Sequence, residues 1–184
     1  MNTIRYRVNA QDVVVEINGA WKDFAVENDQ PSLGASLVLG RPIWQFIAGM
    51  ELRHLYELVV ARVRQKGESV TLPFRCDAPD SRRYMEMSIR PLPDNGVEYE
   101  TRLLRLEQRP VAGLLAAGNE RSESLLAICS WCKRVQVTEG EWVEVEEAVS
   151  RLDLFQRDLL PPITHGICPD CRATLMQAAQ ANPG

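Results

Sequence analysis

The sequence predicts an α+β fold, an antiparallel sheet with flanking helices followed by a small C-terminal unit built around paired cysteines. Three observations carry this prediction. A helical apolar stripe over residues 51–65 gives way to period-2 alternation after residue 69, and turn residues close each alternating run. Four of the five cysteines then fall in two Cys-x-x-Cys pairs. With 184 residues, 45% hydrophobic and 25% charged, the chain can bury a core and has room for one larger and one smaller unit.

The first β-type run is Val13-Val14-Val15-Glu16-Ile17, followed by Trp21, Phe24 and Ala25 at helical spacing. Asp29 to Gly34 reads as a loop. Gly40-Arg41-Pro42 then introduces the apolar segment Ile43-Trp44-Gln45-Phe46-Ile47, with Pro42 suited to a first helical turn. From Glu51 to Gln65, the residues Leu52, Leu55, Tyr56, Val59, Val60 and Val63 share one helical stripe, the clearest helix in the chain. Three strands follow, marked by alternation at Val70/Leu72/Phe74/Cys76, at Met85/Met87/Ile89 and at Val97/Tyr99/Thr101/Leu103. The connections Cys76–Arg83 and Pro93-Asp94-Asn95-Gly96 favour antiparallel hairpins, and the long helix is available to cover their apolar face. This organisation predicts a first domain over residues 1–110, a linker or connecting helix over 111–124, and a metal-binding C-terminal domain over 125–184. In the last, Glu141–Val145 reads as a strand or helix start, and Val145, Ala148, Val149 and Leu152 are in helical phase. The tail from Gln177 is expected to fray.

Cys129-Ser-Trp-Cys132 and Cys168-Pro-Asp-Cys171 stand 35 residues apart. Two residues between cysteines let a tight turn aim both thiolates at one ion, so two such turns supply a tetrahedral shell of four sulfurs. Soft ligands in that number suit one structural zinc ion in a ribbon-like unit. Four thiolates leave no open coordination position, so the expected role is to hold a fold and not to catalyse. His165, three residues before Cys168, is placed as a neighbour that orients a ligand, or as an alternative ligand. A thiol redox sensor is a competing reading of paired cysteines, although neither pair follows a βαβ unit.

Other features have plainer readings. His54 flanks the apolar stripe of its helix, and Cys76 is in phase with buried strand positions. Glu139, Glu141, Glu144, Glu146 and Glu147 read as a solvated face, and Arg75, Arg82 and Arg83 as exposed hairpin arginines. No nucleophile elbow or phosphate-cradling glycine loop is present, so no enzymatic activity is expected. Residues 125–184 hold 5 basic and 8 acidic residues, against 15 of each in 1–110. An acidic cysteine-bearing segment argues against a zinc-ribbon-like nucleic-acid or transcription-complex binder, because phosphate affinity comes from clustered cations. Met1–Asn9 lacks the apolar run of a secretory signal and no membrane span is evident, which predicts a cytoplasmic protein without membrane association.

The order strand, short helices, longer helix, three strands resembles a PAS-like sensory domain over residues 5–109. Gly40-Arg41-Pro42-Ile43-Trp44-Gln45-Phe46-Ile47 resembles the GRPLWDFI segment of many bacterial PAS domains, and Asn28 falls where they often carry a polar loop residue. Ile128-Cys129-Ser130-Trp131-Cys132-Lys133-Arg134-Val135, Trp142 and His165-Gly166-Ile167-Cys168-Pro169-Asp170-Cys171 resemble a cysteine-paired appendage that follows PAS, GAF or receiver modules in bacterial signalling proteins. The resemblance implies a regulatory module that senses a signal or binds a protein. No histidine-kinase, cyclase or DNA-binding output region is evident, so action through a signalling partner or by self-association is expected. If a ligand pocket exists, Trp44, Phe46, Phe74, Met85, Met87 and Tyr99 are the residues expected to line it; the ligand itself is unknown.

Overall fold

A computed structural model of the chain describes residues 3–21, 23, 34–115, 125–154 and 159–180. Its first sheet contains β1 (Ile4–Val8), β2 (Val14–Ile17), β3 (Val70–Arg75), β4 (Ser81–Pro91) and β5 (Val97–Gln108), all antiparallel, in the spatial order β2-β1-β5-β4-β3. Between β2 and β3 lie α1 (Ala35–Val38), a 3-10 turn at Ile43–Phe46 and α2 (Met50–Lys66). The α+β class is therefore as predicted.

β1 was not among the predicted strands, although Ile4, Tyr6 and Val8 alternate with Arg5 and Arg7. It occupies the sheet's interior, pairing Tyr6 with Tyr99 and Val8 with Val97. Pro42 stands just ahead of the 3-10 turn and not within it, at φ −59° and ψ 130°. There its segment runs along the sheet edge, with the Val14 N–H donating to Arg41 O at 2.9 Å and the Gly40 N–H donating to Val14 O at 2.8 Å. Phe24, Ala25, Asn28 and most of the expected 29–34 loop lie outside the described residues.

Alternation divides the sheet into two faces. Val8, Val97, Tyr6, Tyr99, Ile89, Val70, Met87 and Leu72 are buried with the stripe of α2, namely Leu52, Leu55, Tyr56, Val59, Val60 and Val63. The opposite face carries ion pairs: Arg7–Glu98 at 2.8 Å, Arg90–Glu100 at 3.1 Å and Arg102–Glu86 at 2.6 Å. Helix α2 stops at Gly67, whose φ of +68° is a left-handed turn that a side chain disfavours, and the Gly67 N–H caps Val63 O.

A second sheet follows, ordered β8-β7-β6-β9, from β6 (Leu126–Cys129), β7 (Val135–Thr138), β8 (Glu141–Val143) and β9 (Ile163–Gly166). Helix α3 (Val145–Arg151) follows β8, and α4 (Pro169–Gln180) follows β9. Helix α4 is not among the predicted elements, and it carries Gln177–Gln180, where the sequence predicts fraying. Ala112 and Leu114 pack with Leu126, Ile128, Val135, Val145, Ala148, Val149 and Leu154 in a core of this sheet. Residues 116–124 of the expected linker lie outside the described residues.

The two sheets also share an apolar core. Cys129, Trp131, Ile167, Cys168, Cys171 and Leu175 belong to the same buried cluster as the inner face of the first sheet and α2. Helix α4 packs on α2, with Arg172 Nε donating to Glu51 at 2.9 Å. A main-chain bond from the Arg75 N–H to Trp131 O, 2.8 Å, continues β3 into the cysteine turn.

Candidate metal centre

Local geometry converges the four cysteines. Cys129 ends β6, and the chain turns back so that the Lys133 N–H donates to Cys129 O at 2.9 Å and the Cys129 N–H donates to Arg134 O at 2.7 Å. Closing this turn places Lys133 at φ +66°. The parallel pairing of β6 with β9 sets Cys129 beside Gly166, and the Ser130 N–H donates to Gly166 O at 2.9 Å. That register brings the second pair alongside the first. Cys168 directly precedes α4, Pro169 opens the helix where its missing N–H costs nothing, and Cys171 lies in the first turn. Positive partial charge at a helix N-terminus favours thiolates there.

All four Sγ atoms lie within 4.8 Å of one another, and Cys132 and Cys168 are 3.7 Å apart. Thiolates at about 2.3 Å from a tetrahedral zinc stand about 3.8 Å apart, so the donor set and its spacing fit such an ion. Among the described residues these four cysteines form the one cluster able to hold a metal ion. The Cys168 N–H reaches Cys129 Sγ at 3.4 Å. Hydrogen bonds from Cys132 and Cys171 hold the Cys129 thiol far below its usual range, and donating that bond pushes Cys132 up to about 12. Cys171 is raised by donating to Cys129 and then to Cys132. Arg134 stands beside the sulfurs and donates to Asp170 at 3.0 Å.

His165 is exposed on β9, with Nδ1 3.5 Å from Ser130 Oγ, and is not one of the clustered ligand atoms. Partial desolvation of the ring against its neighbours and then the Lys133 charge lower its pKa. Cys76, the fifth cysteine, is half-buried and outside the cluster.

Trp131, between the first two cysteines, joins the centre to the sheet. It is 5% exposed, its Nε1–H donates to Pro73 O at 2.8 Å, and its ring meets Tyr56 at 5.6 Å and Phe74 at 5.7 Å between centroids. Beside it lies a cavity of about 340 Å³ bounded by the sheet, the 43–48 segment, α2 and the cysteine turn. Of the six side chains named from sequence, Phe46, Phe74 and Met87 line it. Trp44, Met85 and Tyr99 do not line this one. Trp44 turns its Nε1–H to Asp12, 2.9 Å away, Met85 is buried, and Tyr99 is stacked on Tyr6 at 4.6 Å. Tyr6, Tyr56, Trp131 and Lys133 line the cavity although the sequence reading had not named them.

Two of the arginines that the sequence presents as solvated, Arg75 and Arg82, are partners of two of the glutamates, Glu144 and Glu146. Arg75 is 7% exposed, and bonds to Asp77 and, at 2.7 Å, to Glu144, which immediately precedes α3. Arg82 and Arg109 meet Glu146 at 2.6 and 3.3 Å, and Arg109 lies 3.4 Å from Asp77. This network ties β3, β4 and the end of β5 to α3.

No protein-family profile matches the chain, and no curated protein does. A solved structure similar to it is the PAS domain of nitrogen regulation protein NR(II) from Vibrio parahaemolyticus, at 15% identity and a TM-score of 0.35, over 55% of this chain and 89% of that one. Among the described residues no helix is long and apolar enough to cross a membrane.

Proposed function

We propose that the chain is a non-catalytic regulatory module, a PAS-like sensor or protein-interaction domain, in which Cys129, Cys132, Cys168 and Cys171 hold one structural zinc ion. The observation that carries this reading is the convergence of four thiols, from two turns 35 residues apart, at the spacing a tetrahedral zinc requires. The metal supplies a rigid cross-link between β6, β9 and α4. Trp131 and the main chain beside it carry that rigidity to β3 of the first sheet. The PAS-like part of the reading is supported by the order of elements before residue 109 and by the Gly40–Ile47 resemblance. The acidic balance of residues 125–184 supports a protein partner or a second copy over nucleic acid.

Elemental analysis of the folded chain tests the metal, with about one zinc per chain expected. Retention should fall with acidity, because a cation must displace the protons that Cys132 and Cys171 keep by donating to Cys129. Apparent zinc affinity therefore rises as pH increases from about 5 to 8. A folded chain without zinc, or an affinity flat across that interval, contradicts the four-thiolate site.

A further inference from the structure

We propose that the cavity beside the cysteine turn binds a small aromatic carboxylic acid, its rings against Tyr56, Phe74 and Trp131 and its carboxylate at Lys133. This rests on the reading above, in which a metal-held turn forms one wall. The pocket opens to solvent on one side, and its volume of about 340 Å³ sits at the low end of small-molecule sites, room for two fused rings. The walls are aromatic, with Trp131 meeting both Tyr56 and Phe74.

Charge selects the head group. Arg75 reaches the cavity already neutralised by Asp77 and Glu144, and Arg134 is engaged with Asp170 beside the sulfurs. Lys133 lines the cavity without an ion pair among the described residues, its Nζ donating only to Ser130 O at 2.7 Å. Ser130 and His165 add hydrogen-bonding groups to the same wall. A carboxylate placed there gains a charge-assisted bond that a neutral ligand of the same shape does not. Ser130 and Trp131 lie between two cysteines of the centre and Lys133 follows the second, so occupant and metal stabilise the same turn and each favours the other.

The test uses the zinc-loaded full chain, with 2-naphthoate and its uncharged isostere 2-naphthamide as calorimetric probes and zinc measured in the same sample. Naphthoate is expected to bind a single site, and the amide at least about tenfold more weakly. Lys133→Met should abolish that difference. Ala48→Phe, which fills the cavity from the segment before α2, should weaken both by at least about tenfold while zinc is retained. Bound naphthoate should also slow zinc transfer to a chelator. Failure of both probes to bind a folded, zinc-replete chain overturns the proposal, as does equal affinity for acid and amide that Lys133→Met leaves unchanged. A transfer rate indifferent to naphthoate overturns the coupling. A folded chain devoid of zinc contradicts the metal reading instead, so the two failures are distinguishable.

Discussion

Cys168→Ser is expected to release the metal and to remove on the order of 5 kcal/mol or more of stability. Cys168 is 1% exposed, and its Sγ lies 3.7 Å from that of Cys132, so a serine there presents a weak, hard ligand to a soft cation inside a packed site. Apart from the core it shares with the first sheet, the C-terminal unit has little to fall back on. Its own core is a small set around Leu114, Ile128, Val135 and Val145, and units of that size ordinarily need a metal or cross-links. Cys76→Ser supplies the control, because this thiol is half-buried and outside the cluster. Its cost should be about 1 kcal/mol or less, with zinc content unchanged. Denaturant unfolding of the two variants with zinc present makes the comparison, and equal stability and equal zinc in both would refute the assignment of Cys168.

Asp77→Ala is the second large effect. The Asp77 side chain is 1% exposed and lies between Arg75 and Arg109, whose side chains are 8% and 4% exposed. Removing it strands two buried cations, a change that costs about 3–5 kcal/mol where no other acid remains. Glu144 and Glu146 still face these arginines, which places the expectation near the lower end, about 3 kcal/mol. Equilibrium unfolding reads it. A loss within about 0.5 kcal/mol, the range of an ordinary surface substitution, would show that the network does not hold the junction.

Much of this architecture is written locally. The stripe from Leu52 to Val63 specifies α2, the alternation after Val70 specifies three strands, and the cysteine spacing marks out the metal cluster. What the local pattern did not carry is how the C-terminal unit meets the first sheet. Trp131 reads as one residue of a cysteine turn, yet its partners Pro73, Phe74 and Tyr56 are set by packing across 57 or more positions of sequence. Charge pairing was equally hidden, since Arg75 and Glu144 each look solvated until β3 and α3 are placed together. Two elements carry only weak local signals. β1 shows alternation over only five residues, and α4 opens with a proline inside the second cysteine pair, where metal ligation masks a helix start. For the cavity, alternation identifies the buried face of the sheet but not which part of it α2 covers. Tyr99 is therefore packed away while Phe74 and Met87 reach open space.

Hydrogen exchange of the zinc-loaded chain, before and after chelation, tests most directly whether the metal fastens the two sheets together. The expected result is loss of protection in β6, β9 and the start of α4, spreading through Trp131 to β3 and the first turns of α2, while β1 and β5 keep theirs. Unchanged protection of β3 and α2 on complete zinc removal would contradict it.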